Sequence, residues 1–89
     1  MTTMFVRHQV QDYAAWRKVY DEFRPTQTRL GVTGQAVYRA ADNPNDITVT
    51  HEFASLEAAQ AFAASAELHG AMAGAGVAGE PSIWFAQPA

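Results

Sequence analysis

The sequence predicts a small α+β domain of the ferredoxin-like class, with the element order β-α-β-β-α-β, a four-stranded antiparallel sheet and two helices on one face. Three observations lead to this prediction. Met4–Val10 and Ile47–Phe53 alternate between apolar and polar positions, as half-buried strands do. Tyr13–Phe23 and Leu56–Ala75 carry apolar residues at helical spacings of three and four. A dense turn signal, Asp42-Asn43-Pro44-Asn45-Asp46, joins the two middle strands as a hairpin.

The first half of the chain predicts one strand and one helix in close succession. His8 shares a strand face with its apolar neighbours at alternate positions, and Asp12 is placed to cap the helix that begins at Tyr13. Pro25 predicts a break after Phe23, because proline lacks an amide donor and restricts the residue before it. A further turn is expected to end near Leu30, with Gly31 as the glycine that closes it.

The second half predicts the hairpin, a second helix and a final strand. The hairpin strands are Gly34–Ala40 and Ile47–Phe53. Ser55 is placed to cap the helix Leu56–Ala75, and a kink is expected near Ala66–Gly70 because Gly70 weakens helical structure. The last strand is expected at Ser82–Gln87.

Composition narrows the possible classes. The chain has 89 residues, 48% hydrophobic and 17% charged, which predicts one globular domain spanning residues 1–89. A net charge of −3 argues against nucleic-acid and anionic-lipid partners. The chain has no cysteine, which excludes disulfides and thiolate chemistry. No signal peptide or membrane-length apolar run is visible, so a cytoplasmic protein that does not enter the membrane is expected.

The apolar pattern of the outer strands predicts a partner. Ile83-Trp84-Phe85 is apolar on both sides of the last strand, and Phe5 lies between Met4 and Val6 on the first. A sheet with helices on one face normally has polar residues on the other. We therefore expect a homodimer in which the sheet faces of two copies pack together.

Four motifs together resemble one family over nearly the whole chain. They are Val6-x-His8-x-Val10-x-Asp12-Tyr13-x-x-Trp16, Asp42-Asn43-Pro44-Asn45, Glu52-Phe53-x-Ser55-x-Glu57-x-Ala59 and Gly76-Val77-x-Gly79-x-Pro81. The chain resembles the antibiotic biosynthesis monooxygenase-like group of the dimeric α+β barrel proteins. That resemblance implies a homodimer whose sheets form a barrel, with a separate pocket in each subunit. Members include cofactor-free oxygenases of aromatic polyketides and quinols, haem-degrading oxygenases, isomerases and cyclases.

Three residues depart from the patterns of that family. The resemblance implies an Asn-Trp-His set in haem-degrading members of the family. In this chain His8 occupies the position of the asparagine, and Phe53 lies near the position of the tryptophan. Phe62 occupies the position on the second helix where many oxygenase members carry histidine. The resemblance therefore implies the pocket without a known catalytic set, and no cofactor is expected.

His8 and His51 are the candidate catalytic residues. If the first and third strands are neighbours, both imidazoles can face the helices. A histidine titrates near neutral pH and can act as a general acid or base. The alternative is that each is a hydrogen-bonded core histidine. No metal site is expected, because the histidines lack the paired spacing of metal ligands.

Aromatic side chains and the third histidine are the candidate substrate-binding residues. They could line a cavity for a flat aromatic molecule, or simply pack as core, and His69 could instead face solvent. The candidates are Tyr13, Trp16, Tyr20, Tyr38, Phe53, Phe62, His69 and Trp84.

Two functions remain open at this point. The first is a cofactor-independent oxygenase, cyclase or isomerase acting on an aromatic or polyketide-like molecule. The second is a non-catalytic dimeric module with a ligand-binding or structural role.

Overall fold

The computed structural model describes all 89 residues. Four strands and four short helices follow one another in the order β-α-α-β-β-α-α-β. They are β1 (Thr2–Val10), α1 (Tyr13–Glu22), α2 (Arg24–Arg29), β2 (Gly34–Ala40), β3 (Asn43–Phe53), α3 (Leu56–Ala63), α4 (Ala66–Gly74) and β4 (Val77–Ala86). None of these helices has the length and apolar character needed to cross a membrane.

The strands form one antiparallel sheet in the order β2-β3-β1-β4, with the helices packed on one face. The predicted ferredoxin-like arrangement is confirmed, including the contact between the first and third strands. In that central pair, Met4 lies opposite His51 and His8 lies opposite Ile47. Side chains that face the helices therefore lie directly opposite one another on β1 and β3, and the candidate site consists partly of these side chains.

The helical break at Pro25 is confirmed. Asp12 caps α1, its Oδ2 accepting from the Ala15 amide at 3.3 Å, and α1 ends at Glu22. Pro25 then lies in the first turn of α2, where its missing amide costs nothing. Gly31 closes α2 with φ of 103°, a left-handed conformation that favours glycine. This short second helix carries Gln27 back toward the sheet.

The helical segment after β3 differs from the prediction of one helix with a kink at Ala66–Gly70. The chain instead breaks earlier, at Ala64 and Ser65, into α3 and α4. Ser65 explains the break, because its hydroxyl donates to the Phe62 carbonyl at 2.7 Å and accepts from the Leu68 amide at 3.2 Å. Gly70 lies within α4 without ending it, and Leu56 at the start of α3 is exposed.

Three strands are longer than expected, and the first of them, β1, begins at Thr2 rather than Met4. β4 begins at Val77 rather than Ser82, because its first residues pair with Gln9 and Val10 beyond an irregularity in the ladder. Opposite His8, the register jumps from Ser82 to Ala78, so β4 has extra residues in a bulge there. β3 begins at Asn43, which reduces the expected turn Asp42–Asp46 to Ala41 and Asp42.

The core lies between the sheet and the helices as two apolar clusters. One is centred on Phe53 and Phe62, and the other on Trp16 and Ile47. The outer face of the sheet also carries large rings. Phe5 and Trp84 stack there with ring centroids 5.3 Å apart, and Tyr38 and Trp84 are 59% and 43% exposed.

Candidate functional site

A cavity lies where the two core clusters meet. It is enclosed by β1 and β3 below and by α1, α2 and α4 above. Its volume is about 40 Å³, and it opens to solvent on one side. That volume has room for about three water molecules. The lining residues are Val6, His8, Trp16, Val19, Tyr20, Phe23, Gln27, Val49, His51, Leu68, Ala71, Met72 and Ala75.

His8 and His51 both line this cavity, and both are almost fully buried, with 6% and 3% of their surface exposed. They do not meet, however. Because His8 lies opposite Ile47 and His51 opposite Met4, the two residues are four positions apart, or about 13 Å along the strands. Both imidazoles face the helices, as expected, but they are not neighbours, and each lies at its own end of the cavity.

Two stacked aromatic rings span the distance between the imidazoles. The Trp16 ring lies 5.8 Å from the His8 ring, edge to face, and 4.9 Å from the Tyr20 ring, nearly parallel. The Tyr20 ring lies 6.4 Å from the His51 ring, measured between centroids. A flat ligand in the cavity would therefore have an aromatic wall with a nitrogen heterocycle at each end.

Four buried polar atoms around the cavity make no hydrogen bond of good geometry, although the Gln27 side chain lies near one of them, the Tyr20 hydroxyl. They are Nδ1 and Nε2 of His8, Nδ1 of His51 and the Tyr20 hydroxyl oxygen. Buried polar atoms in folded proteins are almost always partnered, and leaving one unpaired costs about 1–3 kcal/mol. Their concentration at one apolar cavity indicates a place where a polar ligand, or ordered water, completes the structure.

Burial sets the protonation states of these groups. It lowers the pKa of His51 from 6.5 to about 4. It also lowers the pKa of His8, an effect that the nearby Asp46 carboxylate opposes. The pKa of Tyr20 is raised, chiefly by burial. At pH 7 both imidazoles are therefore neutral and the phenol is protonated.

Of the eight residues expected to bind substrate, Trp16 and Tyr20 line the cavity. Tyr13 lies behind Trp16, with ring centroids 6.0 Å apart, beneath the Arg39 guanidinium. Phe53 and Phe62 belong to the core, although the Phe62 ring lies only 5.2 Å from that of His51.

The other three candidates lie away from the cavity. His69 is exposed on α4, with Nε2 3.0 Å from the Ala63 carbonyl oxygen. Tyr38 and Trp84 project from the opposite face of the sheet. Strand parity explains both, because Tyr38 and Trp84 alternate with inward-facing neighbours, Val37 and Ile83.

Gln27 is a cavity residue that the sequence analysis missed. Its side chain is buried, and its Nε2 lies 3.4 Å from Nε2 of His51. A signal was present: Gln27 follows Phe23 by four residues and so continues the helical stripe that includes Tyr20 and Phe23. The break at Pro25 concealed it, since a stripe is not expected to continue through a helix break.

His8 also borders a second, polar depression beside the bulge of β4. Arg7 and Asp46 form its main ion pair, with Nε and Nη2 of Arg7 3.1 and 2.7 Å from the two carboxylate oxygens. His8 thus lines both the apolar cavity and this polar depression. No group of three His, Cys, Asp or Glu side chains lies close enough to hold a metal ion.

Solved structures share this fold along almost the full chain. A protein from Bordetella bronchiseptica, provisionally assigned as an antibiotic biosynthesis monooxygenase, matches with a TM-score of 0.84 and 20% identity over 99% of this chain and 96% of that one. A provisionally assigned counterpart from Caulobacter crescentus matches at 0.79 and 18% over 99% and 89%. SnoaB, a cofactor-independent oxygenase from Streptomyces nogalater, matches at 0.75 and 16% over 99% and 94%.

These likenesses confirm the expected resemblance at the level of the fold. No family model matches the sequence. No curated protein matches it either. At identities of 16–20%, shared architecture does not carry a shared reaction with it. The function must therefore be argued from the cavity itself.

Proposed function

We propose that this protein is a cytoplasmic, homodimeric, cofactor-independent enzyme of the oxygenase or cyclase/isomerase type, acting on an aromatic or polyketide-like small molecule. The observation that carries the proposal is the set of unpartnered buried polar atoms around an apolar cavity. A planar molecule with oxygen atoms at its edge would stack on the aromatic wall and supply the missing hydrogen bonds.

The first chemical step is proton removal by His8. Its two ring nitrogens are unpartnered and its pKa is lowered by burial, so the neutral ring is ready to accept a proton at pH 7. Removing a proton from a phenol or from a carbon beside a carbonyl gives an electron-rich anion. A cyclase or isomerase would direct that anion to a carbon of the same molecule.

An oxygenase would pass the electrons of that anion to dioxygen. With an anthrone, the methylene carbon loses two hydrogens and gains one oxygen atom, and the second oxygen atom leaves as water. This reaction needs no cofactor, because the substrate itself supplies the electrons. The fold likeness to SnoaB, a cofactor-independent oxygenase, supports including this chemistry.

The test is turnover of model anthrones and quinols by the wild-type protein, with and without dioxygen. We expect product formation above background, with water as the second product in the oxygenase case. A substrate consumed equally fast without dioxygen would indicate the cyclase or isomerase type. Background rates for every substrate under both conditions would contradict the enzymatic proposal.

The small enclosed volume favours one alternative, a non-catalytic binding module. A space with room for about three waters must widen before it admits a ring system. Met72 and Leu68 line it from α4, and their side chains would have to move. A thermal-shift screen with aromatic compounds separates the cases: a rise in Tm without turnover would support a binding module.

The exposed outer face of the sheet supports the homodimer. Phe5, Trp84 and Tyr38 present aromatic surface there that no part of the same chain covers. We expect the wild type to be a dimer by light scattering and Trp84→Glu to be a monomer, because a buried, unpaired carboxylate opposes association. Leu56→Glu, at an exposed apolar residue in the helix layer, is the matched control and should remain dimeric. A monomeric wild type would contradict the proposed assembly.

A further inference from the structure

A series of hydrogen bonds leads from Arg24 through two glutamines to His51, and each residue in it donates to the next. Arg24 can only donate hydrogen bonds, since its guanidinium has no acceptor. In the amide orientation that satisfies its neighbours, the Gln35 oxygen accepts from Arg24 Nε at 2.8 Å and Nη2 at 3.1 Å. The Gln35 nitrogen then donates to Gln27 Oε1 at 3.1 Å. The first donor thereby fixes the orientation of both amides.

The last step of this series reaches the imidazole. With its oxygen committed to Gln35, the Gln27 amide presents its nitrogen to His51 Nε2, 3.4 Å away. An amide nitrogen donates, so Nε2 must accept and carries no proton. A neutral imidazole has one proton, which therefore resides on Nδ1. Burial keeps the ring neutral, because it lowers the pKa of His51 to about 4.

The protonated nitrogen is the one without a partner. Nδ1 of His51 is buried and makes no hydrogen bond within the protein, and His51 lines the cavity. A buried N–H without an acceptor is destabilising, and an oxygen atom of a bound ligand would satisfy it. At the opposite end of the cavity, neither nitrogen of His8 is restricted in this way.

We infer that Arg24, Gln35 and Gln27 fix His51 as the Nδ1–H tautomer, and that this N–H donates to a carbonyl or phenolate oxygen of the ligand. The two histidines then have different roles: His8 accepts a proton, and His51 stabilises negative charge on oxygen. The second half of the inference rests on the proposed function. Gln27 is a positioning residue, because it acts through His51.

We call the hydrogen-bond series from Arg24 to His51 the relay. It is tested by ¹⁵N NMR of histidine-labelled protein, which distinguishes a protonated from an unprotonated ring nitrogen without any ligand or turnover. We expect Nδ1 of His51 to be protonated in the wild type. In Gln27→Glu, a carboxylate accepts from Nε2 and the pattern should reverse. In Gln27→Met, which removes the donor at similar volume, a mixture of tautomers is expected. Gln60→Glu, at an exposed glutamine, is the matched control and should leave His51 unchanged.

Protonation of Nε2 in the wild type would overturn the relay. So would an unchanged Nδ1–H pattern in both Gln27 variants. Because this measurement needs no substrate, it separates failure of the relay from failure of the proposed function. The relay would stand even if every turnover assay gave background rates.

The ligand contact is tested with two probes of the same ring size, 1,4-naphthoquinone and naphthalene. The chain has no cysteine, so the quinone cannot form thiol adducts. We expect the quinone to bind the wild type about tenfold more tightly than naphthalene, as one satisfied buried donor implies. The His51 Nδ1–H proton resonance should move only with the quinone. Equal affinities, no binding of either probe, or an unmoved resonance would overturn the assignment of this donor to a ligand oxygen.

Discussion

His8→Ala is expected to reduce turnover of a responsive anthrone or quinol by about 10²–10⁴-fold, the usual contribution of a general base. The neutral imidazole at the end of the aromatic wall is the group best placed to take the substrate proton. Removing it widens the cavity at that end and leaves the His51 end in place, so the loss should include a fall in kcat and not only a rise in KM. The measurement is steady-state kinetics under air, with folding checked by circular dichroism.

Two further variants show whether a loss of activity comes from removing the base at His8. His8→Gln keeps a polar side chain of similar size but cannot act as a base, so it should lose as much activity as His8→Ala. His69→Ala removes an exposed histidine outside the cavity and should retain wild-type rates. Retention of activity within about threefold in folded His8→Ala would exclude His8 as the base, since even a weak general base contributes about 10²-fold.

Acid is expected to destabilise the protein through His51. The pKa of His51 is about 4 in the folded state against an ordinary value of 6.5. As pH falls, the unfolded chain therefore binds the proton first, and stability is lost between pH 6.5 and 4. Between pH 7 and pH 5 this single group should lower the free energy of unfolding by about 2 kcal/mol.

The measurement is urea unfolding at pH 7 and pH 5, at one protein concentration so that any association is held constant. His51→Gln should remove about 2 kcal/mol of the wild-type loss. His8 contributes loss of the same sign, because its pKa is also lowered by burial. The pKa of Asp46 is lowered from 3.8 by its hydrogen bond with Arg7. The contribution of Asp46 to the free energy of unfolding is therefore lost only below pH 5, outside the range compared. Equal pH dependence in wild type and His51→Gln would contradict the burial of a neutral imidazole.

Alternation and turn chemistry were sufficient to predict the fold. The order of the main elements and the break before Pro25 follow from local patterns, and the pairing of β1 with β3 follows from the ferredoxin-like order that those elements indicate. The same alternation placed His8 and His51 on the helix side of the sheet. The ends of the elements were predicted less accurately. They depend on side-chain hydrogen bonds at Ser65 and on the irregular pairing of β4.

The site itself depended on register and on contacts between distant segments. Periodicity says which face a residue occupies, but not how far along a neighbouring strand its partner lies, so the separation of His8 from His51 was not predictable. Nor does it reveal that Gln27 reaches His51 across 24 positions, or that Phe53 packs as core while Trp16 lines a cavity.

By itself, the sequence determined which side chains face the helices and which apolar rings remain on the opposite face of the sheet, since both follow from the two-residue period of a strand. Only the tertiary structure decided which of the inward side chains surround unfilled space and which of their polar atoms lack partners. The physical reason is that cavities and hydrogen-bond relays depend on distances between segments remote in sequence, which no local pattern encodes.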